Sequence, residues 1–292
     1  MRCVNAAKAI LFADSMILNN IGRASKDKRV NLHYWDSSIE LGGGNFQYNL
    51  GDNLSPVIVE YMLGLRGISL DTPIQKKKHL YAVGSIISMG YQNTTIWGSG
   101  FLQPLSKVRR FFLHHPLRKL DIRAVRGPVT RQLLMETGHS CPEVYGDPGM
   151  LLPKLYNPTI DIGVNEFLII PHFSKEEEYR KKYGDANIGT MVTNDYKRLV
   201  NQIVSAKKVI SGSLHGIIIA EAYGVPTVFL RDRAAYKDFK YDDYYASTLR
   251  PDYRFALSIE EAIGMEPMPL PTNIAQLQDG LIRAFPYDLW NK

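Results

Sequence analysis

The sequence predicts an α/β protein of two Rossmann-like lobes, each with a parallel sheet, facing a central cleft. Three observations carry this. Short apolar runs alternate with helical patterns along most of the chain, the signature of strand–helix units. Several runs end in a Gly-containing turn that opens a helix, as in AVRGPVTRQLL and ISGSLHGIIIAEA. Finally, Pro142, Pro148, Pro153 and Pro158 crowd the middle of the chain and break regular structure where a connection between lobes is needed. A single large doubly wound sheet is the alternative. The expected divisions are an extension over 1–28, a first lobe over 29–146, a link over 147–160, a second lobe over 161–270 and a closing helix over 271–292.

RVNLHYW reads as the first strand, followed by the Gly-rich LGGGNFQYNLGDN. SPVIVEYMLG then has the apolar spacing of a helix, with Ser55 as N-cap and Pro56 at its first position. LYAVGSII, TTIWGSGF and DIRAVRG are three more strands. PVTRQLLMETG is a helix opened by Pro128, with Gly138 beyond its end. The second series runs through the strand EFLIIPHF, the helix TNDYKRLVNQIVSAK, the strand KVISGS, the helix LHGIIIAEAYG and the strand VPTVFL. NIAQLQDGLIRAFPYDLW closes the chain as a helix.

At 292 residues, with 45% hydrophobic and 22% charged residues, the composition is that of a soluble globular protein. No apolar run approaches the roughly 20 residues that cross a bilayer. Lys8 and Asp14 interrupt the apolar opening segment, and no small-residue cleavage site follows, so it is read as an extension and not a signal peptide. Cys3 and Cys141 fit neither a disulfide framework nor a zinc site, which points to a reducing, cytoplasmic setting. The net charge of +6 gathers in SKVRRFFLHHPLRKLDIRAVRGPVTR. Such a run is either a solvated basic face or, given Phe111 and Phe112 among the charges, a surface for anionic lipid headgroups of the inner membrane. It lacks any nucleic-acid-binding motif.

The chemistry concentrates in KKVISGSLHGIIIAEAYGVPTVFL. A strand turning into a helix puts unpaired backbone N–H groups and the positive dipole end at the carboxyl edge of a sheet, a ready anion site. Gly212 is expected to relieve the turn, Ser213 to cap the helix, and His215 to fall in its first turn, where an imidazole binds phosphate or moves a proton. Glu221, alone in an apolar helix, is either paired or turned toward a ligand. Arg126 ends the strand DIRAVR in the other lobe and suits bidentate capture of a carboxylate or phosphate. Facing His215 across the cleft, it would clamp a small anionic ligand.

NLGDNLSPVIVEYMLG, IWGSGF, AVRGPVTRQLL, VYGDPGMLLP, IIPHF, ISGSLHGIIIAEAYGVPTV and FKYDDYYAS occur in this order. Together they resemble the polysaccharide pyruvyl transferase family from about Arg29 onward, with Ser-Leu-His-Gly as the specific block. The first 28 residues have no counterpart in it. The resemblance implies a GT-B-like fold and transfer of the enolpyruvyl carbons of phosphoenolpyruvate onto two hydroxyls of a sugar as a ketal, in the biosynthesis of surface (exopolysaccharide or capsular) polysaccharide, without cofactor or metal. It places His215 and Arg126 on the donor as the catalytic pair, with Ser213 and Leu214 beside them. Asp52, Gly100, Asp147, His172, Glu221 and Lys240 complete the expected substrate-binding set. Many family members have a second serine at Gly212. The acceptor sugar is not specified, and a lipid-linked one would agree with the basic segment.

The rival is a GT-B sugar-nucleotide glycosyltransferase, since EAYGVP resembles the segment that holds the nucleotide ribose there. Ser213 stands where retaining members have a second Glu, which counts against it. A non-catalytic polyanion- or lipid-binding protein is the reading from another class. The chain has no Gly-x-Ser-x-Gly elbow, His114-His115 and Asp242-Asp243 lack metal-ligand spacing, and Gly42–Gly44 does not fit the dinucleotide fingerprint.

Overall fold

Two separate sheets, each wholly parallel, organise this chain in a computed structural model that describes residues 28–34, 49–90, 92–158, 165–172, 175–231 and 238–291. The first pairs β1 (Val30–His33), β2 (Lys78–Tyr81), β3 (Thr94–Trp97) and β4 (Leu120–Ala124) in that order. The second pairs β5 (Leu168–Ile170), β6 (Val209–Ser211), β7 (Thr227–Leu230) and β8 (Phe255–Ala256) in the same way. β3, β5, β6 and β7 are buried along their whole length, as strands covered on both faces must be. The mixed α/β, Rossmann-like class is thus the one expected, and the single doubly wound sheet is not formed. The extension over residues 1–27, Cys3 and the Gly42–Gly44 run lie outside the described residues.

Ile169 of β5 pairs with Ile210 of β6 on one side and, through an isolated parallel bridge, with Ile188 on the other. The chain therefore leaves β5 in one direction and returns to β6 in the opposite one. In open parallel sheets such a reversal marks where a ligand crevice is expected, here at the carboxyl ends of β5 and β6, beside His172 and the Gly212–His215 turn.

The helix α1 (Leu50–Gly64) begins six residues earlier than Ser55 suggests, with Asn49 as N-cap and Pro56 inside it. The reason is that the Ser55 hydroxyl is used across the fold and not as a cap: it accepts the Val83 N–H at 3.2 Å. The basic segment contains α2 (Lys107–Leu113), which the sequence did not announce. α3 (Pro128–Glu136) starts at Pro128 as expected, and Gly138 follows it at a φ of +85°. The remaining helices are α4 (Leu152–Leu155), α5 (Glu176–Tyr183), α6 (Tyr196–Val204), α7 (Leu214–Ala222), α8 (Phe239–Ser247), α9 (Ile259–Gly264) and α10 (Ile274–Arg283).

The proline-dense stretch is ordered. Pro148–Leu151 forms a 3-10 turn running into α4, and Met150, Leu151 and Leu152 are fully buried. The largest apolar cluster joins Leu54, Ile58 and Trp97 of the first half to Ile170, Val209 and Ile219 of the second. The chain then crosses back: Trp97 Nε1 donates to the Leu281 carbonyl at 2.9 Å, Tyr287 Oη to Met62 at 2.7 Å and Lys78 Nζ to Asp288 at 3.0 Å. Residues 274–290 thus complete the core of the first sheet. Cys141 is a buried free thiol whose pKa burial pushes up to about 12. Among the described residues no helix is long and apolar enough to cross a membrane.

Candidate active site

The turn between β6 and α7 is held by Ser211, not by a permissive backbone at Gly212. The Ser211 hydroxyl accepts the Ser213 N–H at 3.0 Å, while Gly212 N–H donates to the Ile170 carbonyl at 2.9 Å. Gly212 does not adopt a left-handed φ. The glycine the turn needs is Gly216, where a Cβ would collide with the Ser211 hydroxyl and Ile170. Ser213 is the N-cap residue of α7, but its side chain makes no capping bond. The first amides of the helix are therefore left without a side-chain cap at the crevice.

His215 lies in the first turn of α7, and its side chain is 13% exposed. Its Nε2 stands 3.6 Å from Asp147 Oδ2, and both atoms are buried without a hydrogen-bond partner. Asp147 is fully buried, and its other oxygen accepts the Gly149 N–H at 2.9 Å, which fixes the carboxylate. Asp52, in the first turn of α1, is 9% exposed and accepts from Asn49 Nδ2 at 2.6 Å. Burial raises its pKa to about 6, with Asp147 pushing the same way, against the pull of His215, Lys240 and the Asn49 bond. His215, Asp147 and Lys240 thus all act on Asp52. Close approaches make this possible: a Cβ on Gly51 would overlap the His215 ring, and one on Gly84, at a φ of +105°, would overlap Asp52.

Arg126 is placed differently from the expected clamp. It is 1% exposed, with Nε donating to Asp243 at 3.0 Å, Nη1 to Ser85 at 2.6 Å and Nη2 to the Phe101 carbonyl at 2.6 Å. Asp243 also accepts the Thr130 N–H at 2.8 Å and its hydroxyl at 2.7 Å. The guanidinium ties the carboxyl edge of the first sheet to α8 instead of projecting toward a ligand. Gly100, expected at the substrate, leaves the space the guanidinium fills, since a Cβ there would lie 2.5 Å from Arg126 Cζ. Because Tyr241 Oη donates to the Gly212 carbonyl at 2.9 Å, α8 links Arg126 to the turn before His215 and carries Lys240 toward Asp52.

Two more expected substrate contacts are structural. Leu214 is 3% exposed and packs with Met150, Ile217 and Tyr244. Glu221 is paired: it accepts from Arg250 at 2.9 and 2.5 Å, from Thr227 at 2.7 Å and from Tyr244 at 2.6 Å. Its carboxylate has no capacity left for a ribose. His172 stands two residues past β5, beyond its carboxyl end. Among the described residues no cluster suited to a metal ion is present. The sequence reading missed Gly51, Asn49, Tyr241 and Asp243. The Asn-x-x-Asp spacing of Asn49 and Asp52 at a helix start was a signal for one of them; the others depend on contacts distant in sequence.

An uncharacterized protein of Acanthamoeba polyphaga mimivirus is 28% identical to this chain over 231 residues, 74% of each protein. The structure of an uncharacterized protein from Klebsiella pneumoniae subsp. pneumoniae is similar at a TM-score of 0.48 and 12% identity, covering 86% of this chain and 98% of that one. Residues 12–232 match the polysaccharide pyruvyl transferase family. The match begins ahead of Arg29, inside the segment for which the sequence offered no counterpart, and stops before Lys240 and α8. With the match running through α1, Arg126, Asp147 and the His215 turn, the chain belongs to the polysaccharide pyruvyl transferase family.

Proposed function

We propose that this pyruvyltransferase takes phosphoenolpyruvate as donor and joins its three carbons to two hydroxyls of one sugar as a cyclic ketal. The observation that supports this best is the buried, unpartnered pair His215 Nε2 and Asp147 Oδ2, 3.6 Å apart beside the uncapped start of α7. A phosphoryl group is the ligand such a helix start and imidazole are built to take. Asp147 Oδ2 stands 3.6 Å from the ring nitrogen, a carboxylate placed beside the imidazole. Lys240 supplies a further positive charge, and Arg126 acts by holding α8 in place.

Chemically, the methylene carbon of the donor gains a proton from Asp52 and the neighbouring carbon becomes electrophilic. One sugar oxygen bonds to that carbon and its hydroxyl proton passes to the Asp52 carboxylate. The carbon–oxygen bond to phosphate then breaks, and His215 protonates the departing phosphate. The second hydroxyl closes the ring and returns its proton to His215. Asp52, whose pKa of about 6 lets it hold or release a proton near neutrality, is the second group able to relay these protons. No cofactor or metal enters this scheme. A sugar acceptor, free or lipid-linked, and a cytoplasmic location with access to phosphoenolpyruvate belong to the same proposal, as does the opening of the crevice as a GT-B-like cleft.

The test is phosphate release from phosphoenolpyruvate across a panel of galactosides, glucosides and mannosides. Sugar-dependent release that disappears in His215→Ala, with unchanged thermal unfolding, is the expected result. Release of UDP from UDP-sugars with none of phosphate would transfer the protein to the glycosyltransferases, against the geometry of Glu221.

A further inference from the structure

The exposed large apolar side chains are not scattered evenly. Of the eleven among the described residues, Leu102, Val108, Phe111, Phe112 and Leu117 fall within one short segment around α2. Phe111 is 63% exposed, Leu117 61% and Val108 52%. In α2 only Leu113 is buried, so the helix lies against the protein by a single side chain and offers the rest outward. Lys107, Arg109 and Lys119 are exposed in the same segment, and no Asp or Glu occurs between Leu102 and Leu120. Nearby cations are otherwise engaged: Arg110 pairs with Glu136 at 2.9 Å, Arg118 is buried on the Ile87 and Gln92 carbonyls, and Arg123 pairs with Asp121 and Asp288.

A solvated basic face has no use for exposed aromatics, and an apolar protein contact has no use for an unbalanced positive rim. Nucleic acid would employ the cations but not Val108 and Leu117. A lipid interface takes both sets, cations on phosphate headgroups and aromatic or aliphatic side chains at the acyl boundary. We propose that the α2 surface docks the protein on membranes rich in anionic lipid, with Phe111 and Phe112 inserted and Lys107, Arg109 and Lys119 on the headgroups. This does not depend on the donor or acceptor of the transfer reaction.

The full chain is sedimented with vesicles of phosphatidylcholine alone and of equimolar phosphatidylcholine and phosphatidylglycerol. Binding is expected only to the mixed vesicles and weakens with salt. Phe111→Ser with Phe112→Ser lowers it at least tenfold, and Lys107→Glu with Arg109→Glu removes it, at roughly fivefold or more per cation. Both variants keep the wild-type thermal midpoint, because the altered side chains are exposed. Absence of binding, equal binding to both vesicle types, or binding that survives either variant overturns the proposal. So does lipid-free self-association abolished by Phe111→Ser with Phe112→Ser, which would assign the face to a second copy.

Discussion

Gly51 and His215 share a space that holds only one side chain: the imidazole lies where a Cβ on Gly51 would be. The first turn of α1 therefore serves as the wall against which the ring is set. Gly51→Ala must push the ring off its position relative to Asp147. A displacement of about 1 Å is expected to lower the transfer rate on the order of a hundredfold, with an overpacking cost of roughly 1–3 kcal/mol in stability. A wild-type rate of phosphate release from this variant would show that the ring does not need this wall.

Asp52 makes stability depend on pH in a definite direction. Its pKa is raised to about 6 in the folded chain, from 3.8 when exposed. Between those values the native state binds more protons than the unfolded one, so this residue's contribution falls as pH rises and stays lowered above pH 6. Asp52→Asn is expected to be more stable than wild type above that window, by up to roughly 3 kcal/mol, and to match it near pH 4. Denaturant unfolding across this range measures the difference, and a constant offset would contradict the assignment.

Arg126 and Asp243 form a buried ion pair 3.0 Å apart. Removing either partner leaves an uncompensated buried charge, so Arg126→Ala or Asp243→Ala should each cost about 3–5 kcal/mol. Arg126→Lys recovers little, because an ammonium cannot reach Asp243, Ser85 and Phe101 together. A double-mutant cycle with a large coupling energy is the expected result. Full stability of Arg126→Ala, with only a raised donor requirement, would restore the residue to direct substrate contact.

Glu221 offers a parallel case with a different readout. Glu221→Gln leaves the Arg250 guanidinium, whose side chain is 9% exposed, without its counter-charge, and a loss of about 3 kcal/mol is expected. Since the carboxylate is spent on Arg250, Thr227 and Tyr244, the Michaelis constant for the donor should not move. A selective rise in that constant with unchanged unfolding would place Glu221 at the ligand.

Much of the second sheet was legible because β5, β6 and β7 are short runs buried along their whole length, and the first sheet because short apolar stretches alternate with helical patterns. Helix starts were less so. Pro56 resembles a first-turn proline, yet Asn49 caps a longer helix because Ser55 is needed at Val83. α8 escaped notice because Tyr241, Asp243, Tyr244, Tyr245 and Ser247 are all buried, which erases an amphipathic stripe. At the site, His215 could be read from a local turn. Arg126 could be seen as a charge at a strand end, but its partner lies 117 residues away, and nothing local announces such a pairing.

The return of residues 274–290 to the first sheet also bears on how the chain is assembled during synthesis. Ile274 lies 150 residues beyond the end of β4, so Trp97 and the neighbouring strands wait, partly uncovered, while the whole second sheet emerges. The first half is then unable to reach its final state as an independent unit, and nascent chains halted before α10 would be clients for chaperones and proteases.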